Sequence, residues 1–269
     1  TTANTGAGGL RDAITNVCPG GTITFDPTVF STAQTISLSS NLTINKNLTI
    51  SGPGADKVTI NQTGTNAPVF FIQSGNIVSI SGLKITGGSS YGVFNLGGPM
   101  IISNSTISNN RAGLQSNGTG LGGSIENYYP MTLTNSTISG NSVVNTFGYH
   151  GGGVYTPTGT SLTPVQIISC TITGNTAAGT KSAGGLRLDY DNGGVMTVSN
   201  TIIAGNTGNS SATADVNGID SGVAFTSNGD NLVGDGTGAT GFTGTADQVG
   251  TSGGPRQRPS RSKSPMAAA

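Results

Sequence analysis

The sequence predicts an all-β protein: a single parallel β-helix (a solenoid) closed at its front by a short N-terminal capping helix. Three observations lead there. The 269-residue chain is only 8% charged and 5% aromatic, has no Trp, and is rich in Gly (45 residues), Thr, Ser and Asn. Its apolar residues, 33% of the total, recur in order rather than at random, which sets it apart from a disordered composition. Four eleven-residue segments align without gaps: MIISNSTISNN from Met100, MTLTNSTISGN from Met131, VQIISCTITGN from Val165 and MTVSNTIIAGN from Met196, spaced 31, 34 and 31 residues apart. Between them, glycine pairs introduce a further short apolar stretch, as in Gly122-Gly123-Ser124-Ile125, Gly152-Gly153-Val154 and Gly184-Gly185-Leu186.

Residues 1–21 form the expected cap. Leu10, Ala13, Ile14 and Val17 fall at helical spacing, and an amphipathic helix there covers the open end that a solenoid must protect. Cys18 is expected to pack beneath this cap, with Cys170 several coils away, so both cysteines are read as unpaired small packers rather than a disulfide. The solenoid spans residues 22–252. Within each segment the alternation has period two: Ile102, Leu133, Ile167 and Val198 share one inward column, and Ile107, Ile138, Ile172 and Ile203 share another. The polar column Asn104, Asn135, Ser169 and Asn200 marks a bend between two short strands. Asn110, Asn141, Asn175 and Asn206 close the segments, where stacked amides can bond along their own ladder. Weaker copies begin at Leu48, Val78 and Val223. A leucine-rich repeat is the alternative solenoid, but its leucines are missing.

Residues 253–269 read as a disordered basic tail, holding Arg256, Arg258, Arg261 and Lys263. Without those four the body has seven basic and eleven acidic residues, net −4, so no nucleic-acid partner is expected. No apolar run reaches transmembrane length. The chain starts Thr1-Thr2-Ala3 and is read as a mature or trimmed form, secreted or displayed on a bacterial surface, and monomeric.

The opening Leu10-Arg11-Asp12-Ala13-Ile14, followed by Gly20-Gly21-Thr22-Ile23-Thr24-Phe25, resembles the start of bacterial surface β-helix proteins with a Leu-Arg-Glu-Ala-Ile-type opening. The Ser-Thr-Ile-Ser-Gly-Asn and Gly-Gly-Gly-Val units are similar to polymorphic outer-membrane protein repeats. The resemblance spans roughly residues 6 to 255 at the scale of the repeat. It implies the right-handed β-helix, the pectate-lyase-like superfold, and export to the cell surface, with an adhesin-like role and no catalytic set. Relatives continue after Gly-Gly-Pro toward a surface anchor, whereas here Gly253-Gly254-Pro255 runs into an unrelated basic stretch. The expectation is a reading-frame slip or truncation.

Candidate functional residues cluster between positions 91 and 191. All six tyrosines, the only Glu (Glu126) and the only His (His150) fall in that interval. Aligning the glycine pairs stacks Phe94, Glu126, Tyr155 and Arg187 in one column, alternating with inward Val93, Ile125, Val154 and Leu186. That column is expected to face outward, with Glu126 and Arg187 about 9.6 Å apart by strand spacing. An exposed aromatic and charged strip suits a polysaccharide or cell-surface glycan, bound by Phe94, Tyr128, Tyr155 and Arg187 without catalysis. The bland reading is that Tyr merely favours strands. The alternative is a polysaccharide lyase or glycoside hydrolase on an acidic polysaccharide, using Glu126, Arg187, Asp189, Asp191 and His150. A lyase would hold Ca2+ through Asp189 and Asp191; the non-catalytic reading needs no cofactor. Ice binding is disfavoured because the outward column Ile101, Thr132, Gln166, Thr197 is mixed.

Overall fold

In a computed structural model the chain is a parallel β-solenoid of about six turns, with one short helix among the described residues. The structure describes residues 1–112, 121–146, 148, 150–157, 164–180, 182–189, 195–209, 215–218 and 225–251. The tail expected at 253–269 and the candidate ligand Asp191 lie outside the described residues.

Among the described residues three long sheets run along the solenoid, and every pairing between their strands is parallel. The first has eight strands: Gly21–Thr24, Leu48–Ser51, Val78–Ser81, Met100–Ser103, Met131–Thr134, Val165–Ile168, Met196–Ser199 and Phe225–Ser227. The second has nine strands, from Gln34–Leu38 to Gln248–Val249, and includes Thr106–Ser108, Thr137–Ser139 and Thr171–Thr173. The third has seven: Leu42–Ile44, Phe70–Ile72, Val93–Asn95, Ile125–Asn127, Val154–Thr156, Leu186–Leu188 and Val216–Asn217. The register is the one the repeat implies, with Ile102 beside Leu133, Leu133 beside Ile167, and Ile167 beside Val198. These residues are fully buried, as are Ile107, Ile138, Ile172 and Ile203. Each such side chain contributes about 2 kcal/mol on burial, so the inward ladders form a continuous core.

The bends follow from backbone chemistry. Asn104, Asn135, Ser169 and Asn200 all have left-handed backbone, with φ of 50, 48, 55 and 48°. Asn tolerates that region better than branched residues do. At the next bend Asn109, Gly140, Gly174 and Gly205 have φ of 55, 64, 65 and 73°. The amide ladder then runs one way: the Nδ2 of Asn110 donates to Asn141 Oδ1 (3.0 Å), Asn141 to Asn175 (2.9 Å), and Asn175 to Asn206 (2.9 Å). It ends on a carboxylate, where Asn206 donates to Asp215 Oδ1 at 2.7 Å. A second ladder at the first bend passes from the Cys170 N–H to Thr201 Oγ1 and from the Thr201 N–H to Asn231 Oδ1. It ends on Asp247, which accepts from the Asn231 N–H at 3.0 Å. Both ladders therefore finish on an acceptor-only group at the C-terminal end.

The helix is Leu10–Asn16, with Leu10 and Ile14 buried against the core. Seven residues cannot sustain a helix alone; side chains tie it to the first rung. Arg11 donates to the carbonyls of Asn41 (2.7 Å) and Ser40 (2.8 Å), and Lys46 donates to those of Thr15 (2.7 Å) and Val17 (3.2 Å). Cys18 departs from expectation. The helix ends before it, the chain turns through Pro19 and Gly20, and the thiol is exposed rather than packed under the cap. Cys170 is buried, and both cysteines are free. At the far end Phe242 stacks on Phe225, ring centroids 5.2 Å apart, and covers the last rungs.

Candidate functional site

The predicted column exists in register. Phe71 lies beside Phe94, Phe94 beside Glu126, Glu126 beside Tyr155, and Tyr155 beside Arg187 on the outer face of the third sheet. Its exposure is not as expected. In the rungs starting at Met100, Met131 and Val165, the chain makes an excursion between the second and third sheets. The excursions pair with one another as two small sheets, Arg111–Ala112 with Ser142–Val143 and Thr176–Ala177, and Leu121–Gly122 with His150–Gly151. This lobe has its own small core of Tyr91, Ala112, Val143 and Ala177, packed against Phe94. Close approach of backbones sets its base: a Cβ on Gly152 would stand 2.5 Å from the Gly184 carbonyl oxygen. Glu126, Tyr155, Arg187 and Asp189 keep only 2, 4, 1 and 6% of their surface. The pleat sends them away from the main core, as period two requires, yet they are buried there, and the lobe reaches Glu126 through the Gly122 N–H.

Within the covered layer each charge has named partners. Glu126 Oε2 accepts the Gly122 N–H at 2.9 Å and Oε1 accepts the Tyr128 hydroxyl at 3.0 Å, with the Tyr91 hydroxyl also bonded to the carboxyl. Burial pushes this carboxyl up to about 7 against the opposing pull of those hydrogen bonds. Burial likewise raises Tyr91, Tyr128 and Tyr155, so all three stay neutral near physiological pH. Arg187 donates through Nη2 to Asp189 Oδ1, and the Tyr155 hydroxyl donates to Asp189 Oδ2 at 3.2 Å. His150 is fully buried on a lobe strand, its backbone N–H donating to Ser182 Oγ at 2.9 Å. Asp189 accepts from Arg187 at one carboxylate oxygen and from Tyr155 at the other. No group of three His, Cys, Asp or Glu among the described residues could hold a metal ion.

The rungs starting at Gly21 and Leu48 contribute nothing to the lobe core and the Val78 rung contributes only Tyr91, so the same outer face is less covered there. Its column is Thr43, Phe71 and Phe94, in register and half-buried. The Phe71 and Phe94 rings stack at 5.5 Å with 16° between planes, and Tyr91 stacks on Phe94 at 4.7 Å. Half-buried Tyr128 meets Phe94 edge-on at 6.2 Å. An aromatic floor therefore runs up to the wall of the lobe, with the Glu126 carboxyl behind it. Of the residues expected to bind ligand, Phe94 and Tyr128 border this floor, and Tyr155 and Arg187 lie under the lobe. Phe71 and Thr43 are additions. The period-two reading of Leu42–Ile44 and Phe70–Ile72 could have placed them, but those rungs lack the glycine pairs that anchored the alignment.

The arrangement defines a parallel β-solenoid with one lobed flank and one open aromatic flank. No family model, curated protein or solved structure matches the chain. No helix among the described residues is long and apolar enough to cross a membrane.

Proposed function

We propose that this is a secreted or bacterial surface β-helix protein that binds a polysaccharide or cell-surface glycan without catalysis. The contact surface is the open outer face of the third sheet. The observation that supports this is the half-buried Phe71–Phe94 stack bordered by Tyr128, since aromatic rings beside hydroxyl and amide groups suit the apolar and polar faces of sugars. The rings sit on in-register strands of a rigid sheet, so little side-chain order is lost on binding. A glycan array probed with wild type, Phe71→Ala and Thr132→Ala tests it. Thr132 is on the first sheet, remote from the aromatic stack. Binding lost in Phe71→Ala and kept in Thr132→Ala supports the reading; equal binding by all three refutes it.

A polysaccharide lyase or hydrolase is the second reading, favoured only by the Glu126 carboxyl, whose proton affinity lies near neutral pH. Its burial behind Tyr91 and Tyr128 argues for a structural role. Release of unsaturated or reducing sugar from an acidic polysaccharide, abolished in Glu126→Gln, would establish the enzyme.

A further inference from the structure

We propose that the cleft between the capping helix and the strand Leu42–Ile44 binds the carboxylate of an acidic sugar residue, so that the bound glycan is a uronic-acid polymer. The inference rests on the glycan-binding reading and adds its chemical class.

The cleft has a volume of about 530 Å³ and is lined by Arg11, Ile14, Thr15, Thr43, Asn45 and Lys46, among others. That is the size of a small-ligand site. Its two charged lining residues are both cations. Arg11 donates through Nη1 and Nη2 to the Asn41 and Ser40 carbonyls and through Nε to Asn4 Oδ1; Lys46 donates to two carbonyls of the helix end. These bonds hold both heads in place, yet carbonyls and an amide carry no net charge. Neither cation has a carboxylate within ion-pair distance among the described residues, whereas Lys57 meets Asp56 and Arg187 meets Asp189. A guanidinium has five N–H donors and an ammonium three, so both heads keep donors beyond the bonds they make. Partial burial works against the Arg11 charge, a cost that an incoming anion offsets.

Thr43 joins this cleft to the aromatic floor. It lines the cleft and is the register partner of Phe71. Phe94 stacks on one face of the Phe71 ring; on the other side the neighbouring rung offers only the short Thr43 side chain. A sugar ring seated over Thr43 therefore has an aromatic face beside it and two cations within the same cleft. Thr15, Thr43 and Asn45 can meet its hydroxyls. A polymer lying along the solenoid passes Thr43, Phe71 and Phe94 at steps of about 4.8 Å.

The test is calorimetric binding of an oligogalacturonate and of its methyl ester, which keeps the sugar rings and removes the charge. Wild type, Asn45→Asp and Phe71→Ala are compared, with melting temperatures as the check on folding. Asn45 is exposed, and Asp there places a carboxylate in the cleft while leaving Arg11 and Lys46 intact. The acid form should bind wild type about tenfold more tightly than the ester, the ratio expected of one charge-assisted hydrogen bond. That preference should disappear in Asn45→Asp at an unchanged melting temperature. Equal affinity for acid and ester, with both lost in Phe71→Ala, would overturn the carboxylate site and leave glycan binding standing. Failure of either form to bind, together with a blank glycan array, would overturn both.

Discussion

Glu126→Gln isolates the covered layer through its pH dependence. Gln has the shape of the protonated acid, and its amide can still accept from the Gly122 N–H and bond the Tyr128 hydroxyl. In the folded protein the Glu126 carboxyl is raised from 4.5 to about 7, first by burial. The folded state therefore holds this proton more tightly than the unfolded chain. The resulting stabilisation is fully present below about pH 4.5 and is lost as pH rises through about 7. At about 1.4 kcal/mol per pH unit, the loss across that window is about 3 kcal/mol. The neighbouring tyrosines do not interfere, because burial keeps them neutral well beyond it. Urea unfolding of wild type and variant at several pH values between 4 and 9 reads the effect as a difference. The two proteins should be equally stable near pH 4.5, and wild type should be weaker by about 3 kcal/mol near pH 8.5. Parallel stability curves across the range would refute the claim that a carboxylate is desolvated under the lobe.

Three further substitutions probe the ladders and bends by thermal and urea denaturation. Asn141→Ala removes the bonds from Nδ2 to Ile107 O and Asn175 Oδ1 and strands the buried Asn110 N–H, so it should cost about 3 kcal/mol; a cost near zero would mean the ladder is decorative. Asp215→Asn should cost about 2 kcal/mol, because an acceptor-only group receives both Asn206 Nδ2 at 2.7 Å and the Asp235 N–H at 2.7 Å, and an amide would turn a donor toward one of them. Ala246 has φ of 61°, and Ala246→Gly should stabilise by about 1 kcal/mol by relieving left-handed backbone; destabilisation would refute the strain.

Much of the solenoid was legible because its signals repeat. Ile102, Leu133, Ile167 and Val198 recur with strict period two in gapless segments, and that period alone fixes their register and inward direction. The Asn110-to-Asn206 ladder and the bend at Asn104, Asn135 and Asn200 were legible for the same reason, since one residue type returns at one corner. The lobe was not. Strands such as Arg111–Ala112 and Ser142–Val143 are two residues long, too short to carry any periodicity. Its pairing is visible only once the rungs are stacked, so Glu126, Tyr155 and Arg187 read as exposed. The Arg187–Asp189 pair was legible as proximity, but its burial and its Tyr155 partner depend on that cover. Phe71 went unplaced because its rung has no glycine pair, and the cations Arg11 and Lys46 because a cap and a strand far apart in sequence form their cleft.

On the proposed reading, ligand meets the unlobed flank, from the capping helix to Phe71 and Phe94. Methyl NMR of the protein during titration with an oligogalacturonate addresses it residue by residue. Progressive shifts are expected for the methyls of Ile14, Leu42 and Thr43, with Ile101 and Thr132 on the first sheet unmoved. Shifts confined to the first sheet, or none at saturating ligand, would contradict it.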